Sequence, residues 1–152
     1  MSIGAELVLE TVKRLAAGNL QPQSQDNYIQ DKKELKKAPK IHKDFCHIEW
    51  DRPAQEVNNL IRGLSPYPAA FATLEKPGGE QVMCKIYSST YEEDKHSDSP
   101  GSIISDGKKY LKVAVAEGYV QIHSIKQEGK RRMDVRDFLA GINFSSGLFR
   151  FS

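Results

Sequence analysis

Apolar positions change their period near the middle of the chain, and the change divides it. Val57, Leu60, Ile61 and Leu64 recur every three or four residues, so one stripe of a short helix faces a core. Gly63 can end that helix, and Pro66 and Pro68 forbid its continuation. From Ala70 onward the period falls towards two. Leu111, Val113 and Val115 alternate with Lys112 and Ala114, and Val120 and Ile122 alternate with Gln121 and His123. Five extended segments are predicted, at 70–74, 81–90, 102–105, 110–116 and 119–126. They are separated by Pro77-Gly78-Gly79, Pro100-Gly101, Asp106-Gly107 and Glu117-Gly118. Short strands at this spacing predict a mainly β domain with flanking helices, built as a five-stranded OB-like barrel.

Helices bracket that β region. Asp51 can cap the helix of Val57–Leu64, with Pro53 in its first turn, and Trp50 before it reads as a core anchor. Arg62, at the end of that helix, is expected to bond backbone carbonyls. After the last strand come Met133 as a staple, Asp134 as N-cap, Asp137 at the third helical position, then Phe138, Leu139 and a stop at Gly141. Upstream, residues 4–17 make an amphipathic helix through Leu7, Val8, Val12, Leu15 and Ala16, stopped by Gly18-Asn19. A lone helix of this length is marginal in water. It reads as the last helix of a domain that has been cut away, and its exposed apolar side could join two copies of the chain. The expected organisation is a terminal helix over 1–19, a linker over 20–47 and the β domain over 48–152.

Charge changes this picture more than composition does. The chain has 152 residues, 39% hydrophobic and 28% charged, which suits one soluble domain with an appendage. No apolar run approaches the ~20 residues that span a bilayer, and the two cysteines, Cys46 and Cys84, suit a reduced, cytoplasmic setting. The formal net charge is only +2, but it is unevenly spread. Between Asp31 and Lys43 stand six lysines against two acids, a solvated connector or a strip for phosphates. From Lys108 to Arg136 there are eight basic and three acidic side chains, with Lys130-Arg131-Arg132 at their centre. The loop from Glu92 to Asp106 carries five acids and one lysine. A basic face opposite an acidic loop is the footprint of an oriented polyanion binder.

Other chemistry is sparse. His42, Cys46 and His47 lie close in sequence but lack a fourth ligand, so ordinary polar and semi-buried roles are expected. His123 on a strand reads as a structural polar residue. Tyr87, Tyr91, Tyr110 and Tyr119 are candidates for base stacking, although aromatics on small barrels more often pack.

One order of residues is more specific. Trp50-Asp51, Pro53-Ala54, the run Ile61-Arg62-Gly63-Leu64-Ser65-Pro66-Tyr67-Pro68-Ala69-Ala70, Pro100-Gly101, Gln127, Gly129-Lys130, Met133 and Phe138-Leu139 follow one pattern. It resembles the C-terminal half of the methionyl-tRNA formyltransferases, with Gly4–Leu7, Gln25-Asp26 and Ala38-Pro39-Lys40 similar to the last catalytic-domain helix and linker. Position 69 is Ala where many relatives have Gly, and either small residue suits a turn into a strand.

The resemblance implies a bacterial-type enzyme of translation initiation that moves a formyl group from 10-formyltetrahydrofolate to the amino group of initiator methionyl-tRNA. In that family an N-terminal α/β domain binds the folate and carries catalytic Asn, His and Asp and a Ser-Leu-Leu-Pro loop, none of which occurs here as a motif. This chain is therefore expected to be inactive alone, with no cofactor or metal of its own. By position, Lys36, Lys37 and Lys40 of the linker and Lys130, Arg131 and Arg132 are the expected tRNA contacts, acting on the backbone rather than on bases. Two alternatives remain open: an accessory domain of a sugar-nucleotide or folate-dependent relative, and a stand-alone OB-type nucleic-acid binder.

Overall fold

The computed structural model describes residues 2–29, 38–142 and 147–152. They fall into two compact units, Met1–Pro39 and Lys40–Ser152. The first holds α1 (Ser2–Ala16) and a 3-10 turn at Gln25–Tyr28, capped by the Ser24 hydroxyl, which accepts from the Asp26 N–H. Gly18 at φ 69° ends α1 through bonds from Gly18 and Asn19 N–H back to Leu15 and Arg14. Ile3, Leu7, Val8, Leu9, Val12 and Leu15 are all exposed.

The second unit is mainly β. Its helices are α2 (Ala54–Leu64) and α3 (Val135–Ala140). Its strands are β1 (Ala70–Glu75), β2 (Gln81–Glu92), β3 (Ile103–Ser105), β4 (Leu111–Ala114), β5 (Tyr119–Gln127), β6 (Met133–Asp134) and β7 (Arg150–Phe151). The sheet runs β3-β4-β5-β2-β1-β7, with β6 on β5. All the paired strands are antiparallel. An isolated bridge from Ser102 to Arg150 and a bond from Phe151 N–H to Gly101 O (2.9 Å) bring the two ends of that path together. The sheet is thus a nearly closed barrel, which leaves few unpaired edges. At Gly101, φ is +87° and an added Cβ would stand 2.1 Å from the Phe151 carbonyl oxygen, so closure needs glycine there.

The five strands expected from the alternation all form, but among the described residues the sheet has seven. The two others, β6 and β7, are two residues long and too short to show a period. Met133, expected as a helix staple, is instead a strand residue opposite Ile125. Other local expectations are also corrected. Pro53, not Asp51, stands at the N-cap of α2, where its carbonyl accepts from Glu56 and Val57 N–H and no side chain caps. Gly63 lies inside α2, which ends at Leu64 because Ser65 is extended ahead of Pro66. Arg62 donates to the Asn59 side chain (3.2 Å) rather than to carbonyls, because that amide lies one turn back on the same face. The Asp134 cap of α3 forms as expected, accepting from Arg136 N–H.

The core lies inside the barrel and under α2. Ala54, Val57, Ile61 and Leu64 of α2 meet Ala72, Leu74, Cys84, Ile86, Leu111, Val113, Val120, Ile122 and Ile125 from the strands. Each of the larger side chains contributes ~1.5–3 kcal/mol by leaving water. Burial also pushes the Cys84 thiol up to about 12, leaving an inert apolar group. Trp50 packs against Phe151 at 5.7 Å between ring centres, the anchor its position suggested. Ser65-Pro66 and Tyr67-Pro68 are both cis, and the buried Ala69 that follows has φ 70°. The turn into β1 therefore asks for a left-handed residue as well as a small one, which is where glycine fits better than alanine.

Candidate nucleic-acid interface

The basic run Lys130-Arg131-Arg132 is the link between β5 and β6. Gly129 (φ 75°) turns the chain, Lys130 N–H closes on Gln127 O (3.0 Å), and Glu128 N–H donates to Met83 O on β2 (2.9 Å). The turn is tied to the sheet by its backbone, so its side chains are carried at a fixed place. Lys130 and Arg131 point to solvent with no ion pair among the described residues.

Arg132 is held differently. Its Nε donates to Ser124 Oγ of β5 at 2.8 Å, and its guanidinium lies 4.5 Å over the Tyr87 ring of β2. That leaves the two terminal nitrogens of the fork without a partner among the described residues. An oriented guanidinium with two free nitrogens suits a phosphate or carboxylate better than it suits a base edge.

The β2–β5 ladder supplies the surroundings. Its outer positions include Lys85 directly across from Lys126, and Thr90 beside His123, whose Nε2 is 2.9 Å from Thr90 Oγ1. His123 is thus the polar structural residue its strand position suggested. Lys85 donates to Pro68 O (3.1 Å), while Lys126 is exposed. Like charges directly opposed on a ladder are unfavourable unless something negative lies near. Lys109, Gln121, His123, Asp134, Val135, Arg136 and Asp137 border a shallow cavity of about 470 Å³ beside α3.

In the acidic loop between β2 and β3 several polar groups are bonded internally, although the buried His96 Nδ1 has no hydrogen-bond partner among the described residues and stands 4.0 Å from Asp98 Oδ2. Lys112 pairs with Glu92 at 2.6 Å, and Tyr119 donates to Asp98 at 2.7 Å. His96 Nε2 is 2.8 Å from Gly118 O, so that nitrogen carries the proton, and the ring lies 4.4 Å from Tyr119. The hydrogen bond to Asp98, with burial and the neighbouring Asp98, Asp94 and Glu92 charges, pushes the Tyr119 hydroxyl up to about 12. The tyrosines considered for stacking therefore diverge: Tyr119 is engaged with the loop and Tyr87 is covered by Arg132, while Tyr91 is 39% exposed.

Of the six expected contacts, Lys130, Arg131 and Arg132 come together on one corner of the barrel, and Lys40 is exposed at the start of the unit. Lys36 and Lys37 lie outside the described residues. Sequence reasoning named Tyr87 only as a stacking candidate and missed Ser124 and the Lys85–Lys126 pair. Their meeting depends on two register shifts in the β2–β5 ladder, near Ser88, that no local pattern announces. No group of metal-ligating side chains occurs among the described residues: Cys46 donates to His42 O and the His47 ring packs edge-on against Phe71.

Comparison with known proteins places these features. The family model for the formyl transferase C-terminal domain matches residues 40–143. The chain belongs to that family. A methionyl-tRNA formyltransferase of Parabacteroides distasonis is 42% identical over 141 residues, covering 93% of this chain and 44% of that protein. One from Bacteroides thetaiotaomicron is 42% identical over 147 residues, covering 97% and 45%. One from Flavobacterium johnsoniae is 41% identical over 145 residues, covering 95% and 44%. This formyl transferase C-terminal domain thus spans less than half the length of these curated relatives. Among solved structures, a crystal structure of a HypX variant from Aquifex aeolicus matches with a TM-score of 0.59 at 18% identity, covering 91% of this chain and 24% of that one. That likeness speaks for the fold alone. No helix among the described residues is long and apolar enough to cross a membrane.

Proposed function

We propose that this chain is the tRNA-holding part of a methionyl-tRNA formyltransferase. The whole enzyme would transfer a formyl group from 10-formyltetrahydrofolate to the amino group of initiator methionyl-tRNA, in the cytoplasm, at the start of translation. The observation that carries this reading is the match to relatives of that name along 93–97% of the chain. The corner at Lys130, Arg131 and Arg132 supplies the physics, because it gathers three cations that have no acidic partner among the described residues onto one edge of the sheet. Lys36, Lys37 and Lys40 would continue the strip along the linker.

The folate and the transferred group belong to chemistry outside this chain, which carries none of the catalytic motifs the resemblance names. The domain's role is positioning: backbone contacts orient the acceptor end without reading its sequence. Two copies could also associate through the exposed apolar side of α1, which Leu7→Glu would abolish in sedimentation equilibrium.

The test is a titration with initiator tRNA at low and moderate salt, alongside an assay for formyl transfer. Salt-sensitive binding without transfer supports the reading. Binding indifferent to salt, or formyl transfer by the chain alone, overturns it. A sugar-nucleotide-modifying relative is less favoured, because a small substrate has no use for an extended cationic strip.

A further inference from the structure

We infer that Tyr87, Ser124 and Arg132 form a fixed phosphodiester site on the outer face of the β2–β5 ladder, with Lys126 serving the next phosphate along the same strand of RNA. The inference rests on the tRNA-holding reading and deepens it. It divides the basic corner into one oriented contact and several mobile ones.

Three observations carry it. First, Arg132 is immobilised on two sides, by the 2.8 Å bond from Nε to Ser124 Oγ and by the Tyr87 ring 4.5 Å beneath it. Both supports come from strands, so the ordering cost of a long side chain is met before any ligand arrives. Second, the bond to Ser124 uses Nε and leaves the terminal nitrogens to face a ligand as a pair. A tetrahedral phosphate can accept from both, whereas a lysine ammonium at the same place would act only as a point charge. Third, Lys126 lies two residues beyond Ser124 on β5 and Lys85 two residues before Tyr87 on β2, and the two lysines face each other. Two residues along a strand cover ~6.7 Å, of the order of the step between successive phosphates of a nucleic-acid strand. An anion beside Lys126 would offset the like charge that Lys85, whose Nζ donates to Pro68 O, sets across the ladder.

Lys85 and Lys126 border a shallow hollow with Met83, Glu128 and Gly129, which Arg132, Tyr87 and Ser124 do not line. The Glu128 carboxylate sets a limit on where a phosphate can sit and favours the Arg132 side. A polyanion is preferred over an acidic peptide as the occupant because the cations are spaced along the strands as a backbone track.

The experiment measures binding of a fluorescent RNA duplex with the acceptor-stem sequence to the full chain, over a series of salt concentrations. Arg132→Lys keeps the charge but loses the fork and the flat stacking surface. It should weaken binding roughly tenfold with the slope against salt unchanged, whereas Arg132→Ala should also lower that slope by about one. Lys130→Ala and Arg131→Ala should each cost only about two- to threefold. Tyr87→Leu should act in the same direction as Arg132→Lys, and Ser124→Ala more weakly, with Tyr87→Phe close to the parent. Lys95→Ala, on the acidic loop, should change nothing.

Equal affinity of Arg132→Lys and the parent would overturn the oriented site while leaving tRNA holding intact. Failure of the parent to bind the duplex at low salt would overturn both. Displacement of the RNA by polyglutamate at equal charge concentration would also overturn it, by showing a site for any polyanion. Ser124→Ala guards against misfolding, since it removes one hydroxyl from a partly exposed position and leaves the core untouched.

Discussion

The two charged corners of the barrel use the same kinds of side chain to opposite ends. At the acidic corner most of the groups are engaged with one another: Glu92 holds Lys112, Asp98 holds Tyr119, and His96 Nε2 holds the carbonyl of Gly118, with only the buried His96 Nδ1 left without a hydrogen bond among them. At the basic corner the ties are made by backbone, through Glu128 and Lys130 N–H, while Lys130 and Arg131 keep all their donors and Arg132 keeps two nitrogens. A corner whose polar groups are paired internally has little left to offer a ligand. One whose cations are supported but unpaired keeps donors for the polyanion proposed above. The first corner should therefore answer to mutation in stability, and the second in affinity.

The largest effect expected is at Gly118. Its φ is +104°, and an added Cβ would stand 2.0 Å from the Glu92 carbonyl oxygen. Gly118→Ala must displace the end of β2, and should cost about 3 kcal/mol or more in urea unfolding. Any protein that remains folded should bind RNA as before. A loss of affinity in that folded fraction would break the division between the corners.

Next in size is the replacement of Lys130, Arg131 and Arg132 together by Ala. Binding to tRNA at low salt should fall by about a hundredfold, roughly 2.7 kcal/mol, with a reduced slope against salt. The urea midpoint should move little, because Lys130 and Arg131 are exposed without partners and the one bond from Arg132 to Ser124 lies at the surface. A large drop in stability with affinity preserved would reverse the assignment of the two corners.

How much of this was legible beforehand follows from which signals are local. The five longer strands, α2 and α3 announce themselves through apolar period and turn residues, and Asp134 through the chemistry of caps. The charge polarity is visible in composition because each corner is nearly continuous in sequence. A barrel was legible too, but not the two short strands that complete it, because β6 and β7 form through pairing with distant strands and have no period of their own. The support of Arg132 was hidden for the same reason. Tyr87, Ser124 and Arg132 meet only across a ladder that carries two register shifts beside Ser88. Asp51 misled because its chemistry suits a cap, whereas the chain turns two residues later at Pro53.

The smallest effect tests the acidic corner by its own titration. Tyr119 donates to Asp98, and that bond, more than burial or the nearby carboxylates, raises its hydroxyl from about 10 to about 12. The folded chain thus holds this proton more tightly than the unfolded chain does. Between those two values the unfolded state binds fewer protons, so stability falls as pH rises; below pH 10 the contribution is fully present. Because the group is largely open to solvent, the loss is modest. Tyr119→Phe should cost less than about 1 kcal/mol near neutral pH, the net value of one hydrogen bond, and should flatten the decline between pH 10 and 12 relative to the parent. It should leave RNA affinity and its salt slope unchanged. If the parent and Tyr119→Phe decline in parallel through that range, the Asp98 bond does not hold in solution and the acidic corner is less tightly paired than its geometry shows. If the substitution instead weakens RNA binding, the two corners are coupled through β5, which carries both Tyr119 and Ser124.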